Sequence, residues 1–115
     1  MRKIFSAILV TIIVTAATPP LSPPTNSFGY NSDWKYLDNG SNQGTAWTSL
    51  SFNDASWLSG NGQLGYGDGD EATVVSYGGN ASNKYITTYF RKNINITDPA
   101  SFSSFTANIK RDDGA

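Results

Sequence analysis

The feature that most restricts the fold of this chain is the density of its turn signals. Glycine, asparagine and aspartate cluster at 38–40, 60–62, 65–70 and 78–80, and short runs rich in Trp, Tyr, Thr, Val and Ile lie between these clusters. The clustered residues favour turns, whereas aromatic and β-branched residues suit a pleated strand. No window keeps the 3.6-residue apolar period of a helix. The pattern predicts an all-β fold, a β-sandwich or jelly roll of short strands.

Two segments show the clearest strand alternation. Residues 85–96 alternate with Phe90 on one face and Tyr89 on the other, and Phe105 and Ile109 alternate with polar residues within 102–111. Each pattern predicts a strand with one buried face. Shorter strands are predicted at 33–38, 45–51 and 73–77, with a turn or one helical loop at 52–58.

The N-terminus has the three-part order of a secretory signal. Arg2 and Lys3 precede an almost wholly apolar run over 4–14, and small residues follow up to Ala17. This order predicts a signal peptide over 1–17, and the run is about half of the roughly 20 residues that span a bilayer. The alternative is a buried core helix or strand. Prolines at 19, 20, 23 and 24 argue against it, because they separate the run from the rest of the chain.

The predicted organisation follows from that leader. Residues 18–30 read as an extended Pro/Ser-rich linker, and 31–115 as the N-terminal part of a β-sandwich module. Asp113-Gly114 is a hairpin signal with no returning strand, so the sandwich is expected to be incomplete and the chain to be a fragment of a longer protein. The mature protein is expected to be secreted or held at the cell surface, without a membrane anchor after cleavage.

Composition argues against several function classes. Without Arg2 and Lys3, 6 basic and 9 acidic residues give a net charge of −3, so a nucleic-acid partner is not expected. The chain has no histidine and no cysteine. It therefore lacks the commonest general base, and a nucleophile triad would have neither a His nor a Cys member. Its aspartates lie in turn contexts rather than in the paired arrangement that glycoside hydrolysis needs. This fragment is therefore predicted to be non-catalytic.

An acidic, glycine-rich loop is the candidate metal site. Asp68, Asp70 and Glu71 offer carboxylate oxygens on a flexible backbone, which suits a structural Ca²⁺. The 12-residue calcium loop with its closing glutamate is missing, and a solvated acidic turn is the alternative.

Four residues are candidate ligand contacts. Trp47 is expected either to stack on a sugar ring or to anchor the core. Arg91 lies within a predicted strand, where it would contact a ligand, pair with an acidic turn or discourage strand addition at an edge. Asp112 and Asp113 are adjacent carboxylates before a glycine, consistent with a calcium-assisted sugar site or a plain hairpin turn.

A series of sequence phrases resembles the galactose-binding-like jelly-roll module of large secreted bacterial proteins. The phrases are Trp-Lys-Tyr-Leu-Asp-Asn-Gly at 34–40, Trp47, Phe-Asn-Asp-Ala-Ser-Trp at 52–57, Gly-Gln-Leu-Gly-Tyr-Gly-Asp-Gly at 62–69, Tyr-Phe-Arg-Lys at 89–92 and Asp-Asp-Gly-Ala at 112–115. The resemblance covers residues 31–115 and implies a carbohydrate-binding or spacer role beside downstream domains of the same chain. The alternative is an accessory domain of a secreted metal-dependent phosphoesterase or other hydrolase, with its catalytic domain beyond residue 115.

Overall fold

The computed structural model describes the backbone of residues 5–14 and residues 28–111, which form a small β-rich domain. Two three-residue 3-10 turns, Ala46–Thr48 and Pro99–Ser101, are the helical segments of this described part. The prediction of a β-rich fold is thereby confirmed. The strands are β1 Phe5–Val14, β2 Asp33–Leu37, β3 Leu58–Asn61, β4 Leu64–Gly65, β5 Thr73–Val74 and β6 Thr87–Ile96.

Four of the strands form one sheet with the order β1-β6-β2-β3. β6 pairs parallel with β1 and antiparallel with β2, and β2 pairs antiparallel with β3. β4 and β5 form a separate two-stranded parallel sheet. Of the strands predicted from sequence, 85–96 and 33–38 are confirmed as β6 and β2, and 73–77 shortens to β5. β3 and β4 were not predicted.

The apolar run of the predicted signal peptide forms β1. It pairs with β6 along its whole length, from Phe5 opposite Thr87 to Val14 opposite Ile96. A paired strand is one form of the alternative to a leader, and the signal peptide remains a prediction. The cleavage region and the linker as far as residue 27 lie outside the described residues. Phe28 packs edge-on against Trp34 with ring centroids 6.0 Å apart, so the end of the predicted linker contacts the domain.

Hydrophobic side chains pack against both faces of β6, whereas the sequence predicts a single buried face. Thr88, Tyr89, Phe90 and Arg91 are all buried, and neighbouring side chains of a strand point to opposite faces. On one face lies the Phe90 cluster of Tyr36, Val75 and Phe90, with Trp34, Leu64 and Tyr66 packed against it. On the other lies the Tyr89 cluster of Trp47, Trp57 and Tyr89, with Leu37 and Phe52 packed against it.

Two strand predictions are wrong. The segment 45–51 forms a 3-10 turn, in which the backbone N–H and the hydroxyl of Thr48 both donate to the carbonyl of Thr45. That turn lets Trp47 fold over the second face of β6. The segment 102–111 has no strand pairing, and its Phe105 and Ile109 side chains are exposed.

Candidate functional site

A cleft with a volume of about 440 Å³ lies at the start of β6. This volume lies within the range of small-ligand pockets. Its walls come from the turn after β2 and from the segment that enters β6. The lining residues are Gly40, Ser41, Asn42, Asn83, Lys84, Tyr85, Ile86, Thr87 and Tyr89. The cleft therefore presents hydroxyl, amide and aromatic groups together.

One wall is a turn held by its own side chains. The Asn39 side-chain oxygen accepts hydrogen bonds from the backbone N–H and the hydroxyl of Ser41, at 3.0 and 2.6 Å. Asn42 repeats the motif by accepting the N–H of Gly44 at 2.9 Å. Such bonds to the chain two residues onward stabilise a turn locally. The polar groups of this wall are thus fixed before any ligand arrives.

The Tyr85 ring joins the two walls. Gly40 has a φ of 75°, and a Cβ at this position would overlap the Tyr85 ring. A Cβ at Gly78 would lie 3.0 Å from the same ring. Only a glycine allows both the positive φ and the close approach at residue 40. Two turns recognised separately in the sequence are therefore brought together by one aromatic side chain.

Tyr89 forms the base of the cleft and belongs to the Tyr89 cluster. Its hydroxyl accepts the backbone N–H of Gln43 at 3.1 Å. Its ring meets the Trp47 ring edge-on, with centroids 5.1 Å apart, and lies 6.0 Å from the Trp57 ring. Trp47, a predicted ligand contact, is 9% exposed and does not line the cleft. As placed, it supports the base of the cleft from below.

Lys84 brings a positive charge to the cleft wall. Its ammonium lies 4.7 Å from the Tyr66 ring centroid and 5.2 Å from the Tyr77 ring centroid. Cations are attracted to the negative faces of such rings. Burial raises the pKa of Tyr66, and the nearby Tyr77 raises it further. The aromatic pair thus helps to position Lys84 in the cleft wall.

Arg91 does not reach this cleft. Its Nη1 lies 2.8 Å from an Asp54 carboxylate oxygen and 3.2 Å from the carbonyl oxygen of Phe52, and Nη2 donates to the Ser49 carbonyl at 3.0 Å. The side chain is 1% exposed. Pairing with an acidic turn, one of the three expected roles, is thereby confirmed. The guanidinium ties the 49–54 loop to β6, and it borders a smaller crevice of about 190 Å³.

Of the predicted calcium residues, Glu71 binds the backbone of its own loop. The two carboxylate oxygens of Glu71 accept the N–H groups of Asp68 and Gly69, each at 2.9 Å. Hydrogen bonding, first of all from the Asp68 N–H, lowers the pKa of Glu71. Asp70 accepts the Gln63 amide at 3.2 Å. Among residues 28–111, no three acidic side chains converge to hold a metal ion.

The remaining predicted contacts, Asp112 and Asp113, lie outside the described residues. The cleft itself was not predicted from the sequence. Asn42 and Asn83 follow turns that the sequence pattern predicts, and Tyr85 begins the predicted strand 85–96. Local spacing does not indicate that the two distant turns face each other.

The chain was compared with family models, curated proteins and solved structures. No protein-family model, no curated protein and no solved structure matches it. The galactose-binding-like resemblance therefore stays a prediction. In the stretches that the structure describes, no helix has the length and apolar character needed to cross a membrane.

Proposed function

We propose that this chain is a non-catalytic module of an exported protein and binds carbohydrate in the cleft beside Tyr85. The observation that carries the proposal is the cleft lining, which combines tyrosine rings with fixed amide and hydroxyl groups. A sugar offers apolar C–H faces that pack on aromatic rings and hydroxyls that exchange hydrogen bonds with amides. The volume of about 440 Å³ is sufficient for a small saccharide.

The rigid surroundings favour binding at this cleft. Tyr89 is held by a hydrogen bond and two tryptophan rings, and the Asn39 and Asn42 turns are internally bonded. A site that is ordered before binding loses less conformational entropy when its ligand arrives. The cleft offers amide, hydroxyl, aromatic and ammonium groups, which suit ligand binding. Glycoside hydrolysis instead needs two carboxyl groups.

Export and the jelly-roll arrangement belong to the same proposal. Arg2, Lys3 and the apolar run over 4–14 support a cleaved leader. The sequence phrases at 34–40 and 62–69 support the galactose-binding-like fold. The packing of Leu64 from β4, and of Val75 next to β5, against the Phe90 cluster supports a two-layer arrangement.

A matched pair of asparagine variants tests the site. Asn42 and Asn53 each accept the backbone N–H two residues onward, at 2.9 and 3.0 Å, but only Asn42 lines the cleft. The full chain is screened on a glycan array with and without Ca²⁺, and affinity for a bound glycan is measured by calorimetry. Asn42→Ala is expected to weaken binding about five- to tenfold, the effect of one hydrogen bond, while Asn53→Ala leaves it unchanged.

Two results would count against carbohydrate binding at this cleft. One is the failure of every glycan to bind the wild-type chain under both conditions, which would leave the spacer role. The other is equal affinity of the Asn42 and Asn53 variants. An accessory role beside a hydrolase is a separate question. Metal ligands of the His, Asp and Asn type encoded beyond residue 115 would support it.

A further inference from the structure

The two edges of β6 are paired very differently. On one side, β2 pairs with it through Lys35–Arg91, Tyr36–Phe90 and Leu37–Tyr89. On the other side, β1 pairs with all ten residues of β6. If the leader is removed, as the export proposal requires, this second edge loses its partner along its full length. Unpaired N–H and C=O groups of an edge strand readily accept another strand.

A strand-like segment of the same chain lies close by in sequence. β6 ends at Ile96, the Pro99–Ser101 turn follows, and residues 102–111 then run without strand pairing. The carbonyl of Asp98 accepts the backbone N–H and the hydroxyl of Ser101, so the connection is an ordered turn. Within the segment, Phe105 is 56% and Ile109 is 55% exposed. The Phe105 ring stacks on the ring of Phe102, with centroids 5.4 Å apart, and still leaves more than half of its surface exposed. Exposed apolar residues on one face of an alternating segment indicate a strand face that no other strand covers.

We propose that residues 102–111 replace β1 on the β6 edge once the leader has been removed. The chain turns back after Ile96, so the new pairing is antiparallel where that of β1 is parallel. The proposal rests on the export part of the proposed function. It assigns the edge to a segment of this chain, because a turn of a few residues gives that segment a far higher effective concentration than a second copy would have.

The alternation of side chains fixes the register to one parity. In an antiparallel pair, two residues that lie opposite each other point to the same face of the sheet. Phe105 and Ile109 have odd numbers, and their intended neighbours Phe90 and Ile94 have even numbers. The two sets therefore share a face only when the numbers of opposed residues have an odd sum. A register that places Ile94 opposite Phe105 and Phe90 opposite Ile109 satisfies this condition. It continues the Phe90 cluster along the sheet, and it leaves the connection through Pro99–Ser101 long enough for the chain to reverse.

Disulfide trapping tests the register, because the chain has no cysteine of its own. In the full chain, Asn93→Cys is combined with Thr106→Cys, the residue opposite it in the proposed register. The control combines Asn93→Cys with Lys110→Cys, four residues further along and displaced by about 13 Å. A disulfide needs Cα atoms within about 7 Å. All three positions are exposed.

A specific protease site introduced within 18–27 allows the leader to be cut off in the purified protein. Disulfide yield is measured by mass spectrometry before and after the cut, and near-ultraviolet circular dichroism checks that each variant keeps its packed aromatic rings. We expect the 93–106 disulfide to form at least tenfold faster after the cut. The 93–110 control should remain slow throughout.

Four outcomes would overturn the proposal: unchanged 93–106 rates, equal rates for both pairs, intermolecular disulfides as the main product, or a cut leader that stays bound to the domain. Because the cut is made in the test tube, these results do not depend on export. Export is tested separately by determining the N-terminus of the protein that a host secretes.

Discussion

The buried pair of Arg91 and Asp54 gives the sharpest test of how the domain is held together. Arg91 is 1% exposed, and among the described residues Asp54 supplies the carboxylate that pairs with its guanidinium. The change Asp54→Ala leaves a buried cation with only the carbonyls of Ser49 and Phe52 as acceptors. Removing one member of a buried ion pair typically costs 3–5 kcal/mol. The Asp54 side chain is 21% exposed, so water can enter, and we expect about 3 kcal/mol, at the low end.

The double variant separates the charge effect from simple loss of contacts. Arg91→Met together with Asp54→Ala removes both charges and keeps much of the arginine volume. We expect it to lose only about 1–2 kcal/mol, from the carbonyls left without a donor. The double variant should therefore be more stable than Asp54→Ala alone, although it carries one more substitution.

Urea unfolding followed by tryptophan fluorescence measures these differences, since Trp57 lies in the adjoining Tyr89 cluster. With an m-value of about 1 kcal/mol/M, the Asp54 variant should unfold about 3 M earlier in urea. Asp68→Ala, which removes a carboxylate from an exposed turn, should change stability by less than about 0.5 kcal/mol. A loss below 1 kcal/mol for Asp54→Ala, or a double variant less stable than Asp54→Ala, would refute the reasoning.

Three further predictions concern single groups. Gly40→Ala should destabilise the domain by about 1–2 kcal/mol more than Gly44→Ala in the same unfolding assay, because both positions have positive φ but only the first meets an aromatic ring. Tyr66→Phe should be neutral or stabilising, because the buried hydroxyl has no hydrogen-bond partner among the described residues, whereas Tyr89→Phe should cost about 1 kcal/mol by removing the acceptor of a backbone N–H; equal thermal unfolding midpoints would contradict this. Hydrogen bonding lowers the pKa of Glu71, so its stabilisation of the turn is present above its ordinary pKa of 4.5 and is lost as pH falls through the lowered value. NMR titration of the neighbouring amides should show this loss, and Glu71→Gln should abolish it.

Local patterns in the sequence were sufficient to locate the central strand and its neighbour. The alternation over 85–96 and the phrase at 33–38 predict β6 and β2, and an acidic partner is one of the three roles predicted for Arg91. These features depend on residues close together in the chain, where propensity and side-chain alternation act directly.

Tertiary contacts determine the structure of 45–51, the second buried face of β6 and the cleft, which local sequence patterns do not predict. Residues 45–51 have strand-like composition, yet Trp47 gains more contact by folding onto Tyr89 than it would in an isolated strand. The same loop buries the second face of β6, which no local alternation indicates. The cleft depends on Tyr85 lying between Gly40 and Gly78, a meeting of turns that only the assembled sheet produces.

The position of β6 in the chain also bears on the timing of folding. The strand that joins β1 to β2 and carries both aromatic clusters is the last strand in the described order. Its pairing with β2 closes a long loop, and such closures are slow. Ribosomal synthesis must reach the central strand before either cluster can assemble. A nascent chain that ends before β6 therefore lacks the strand on which both clusters are built.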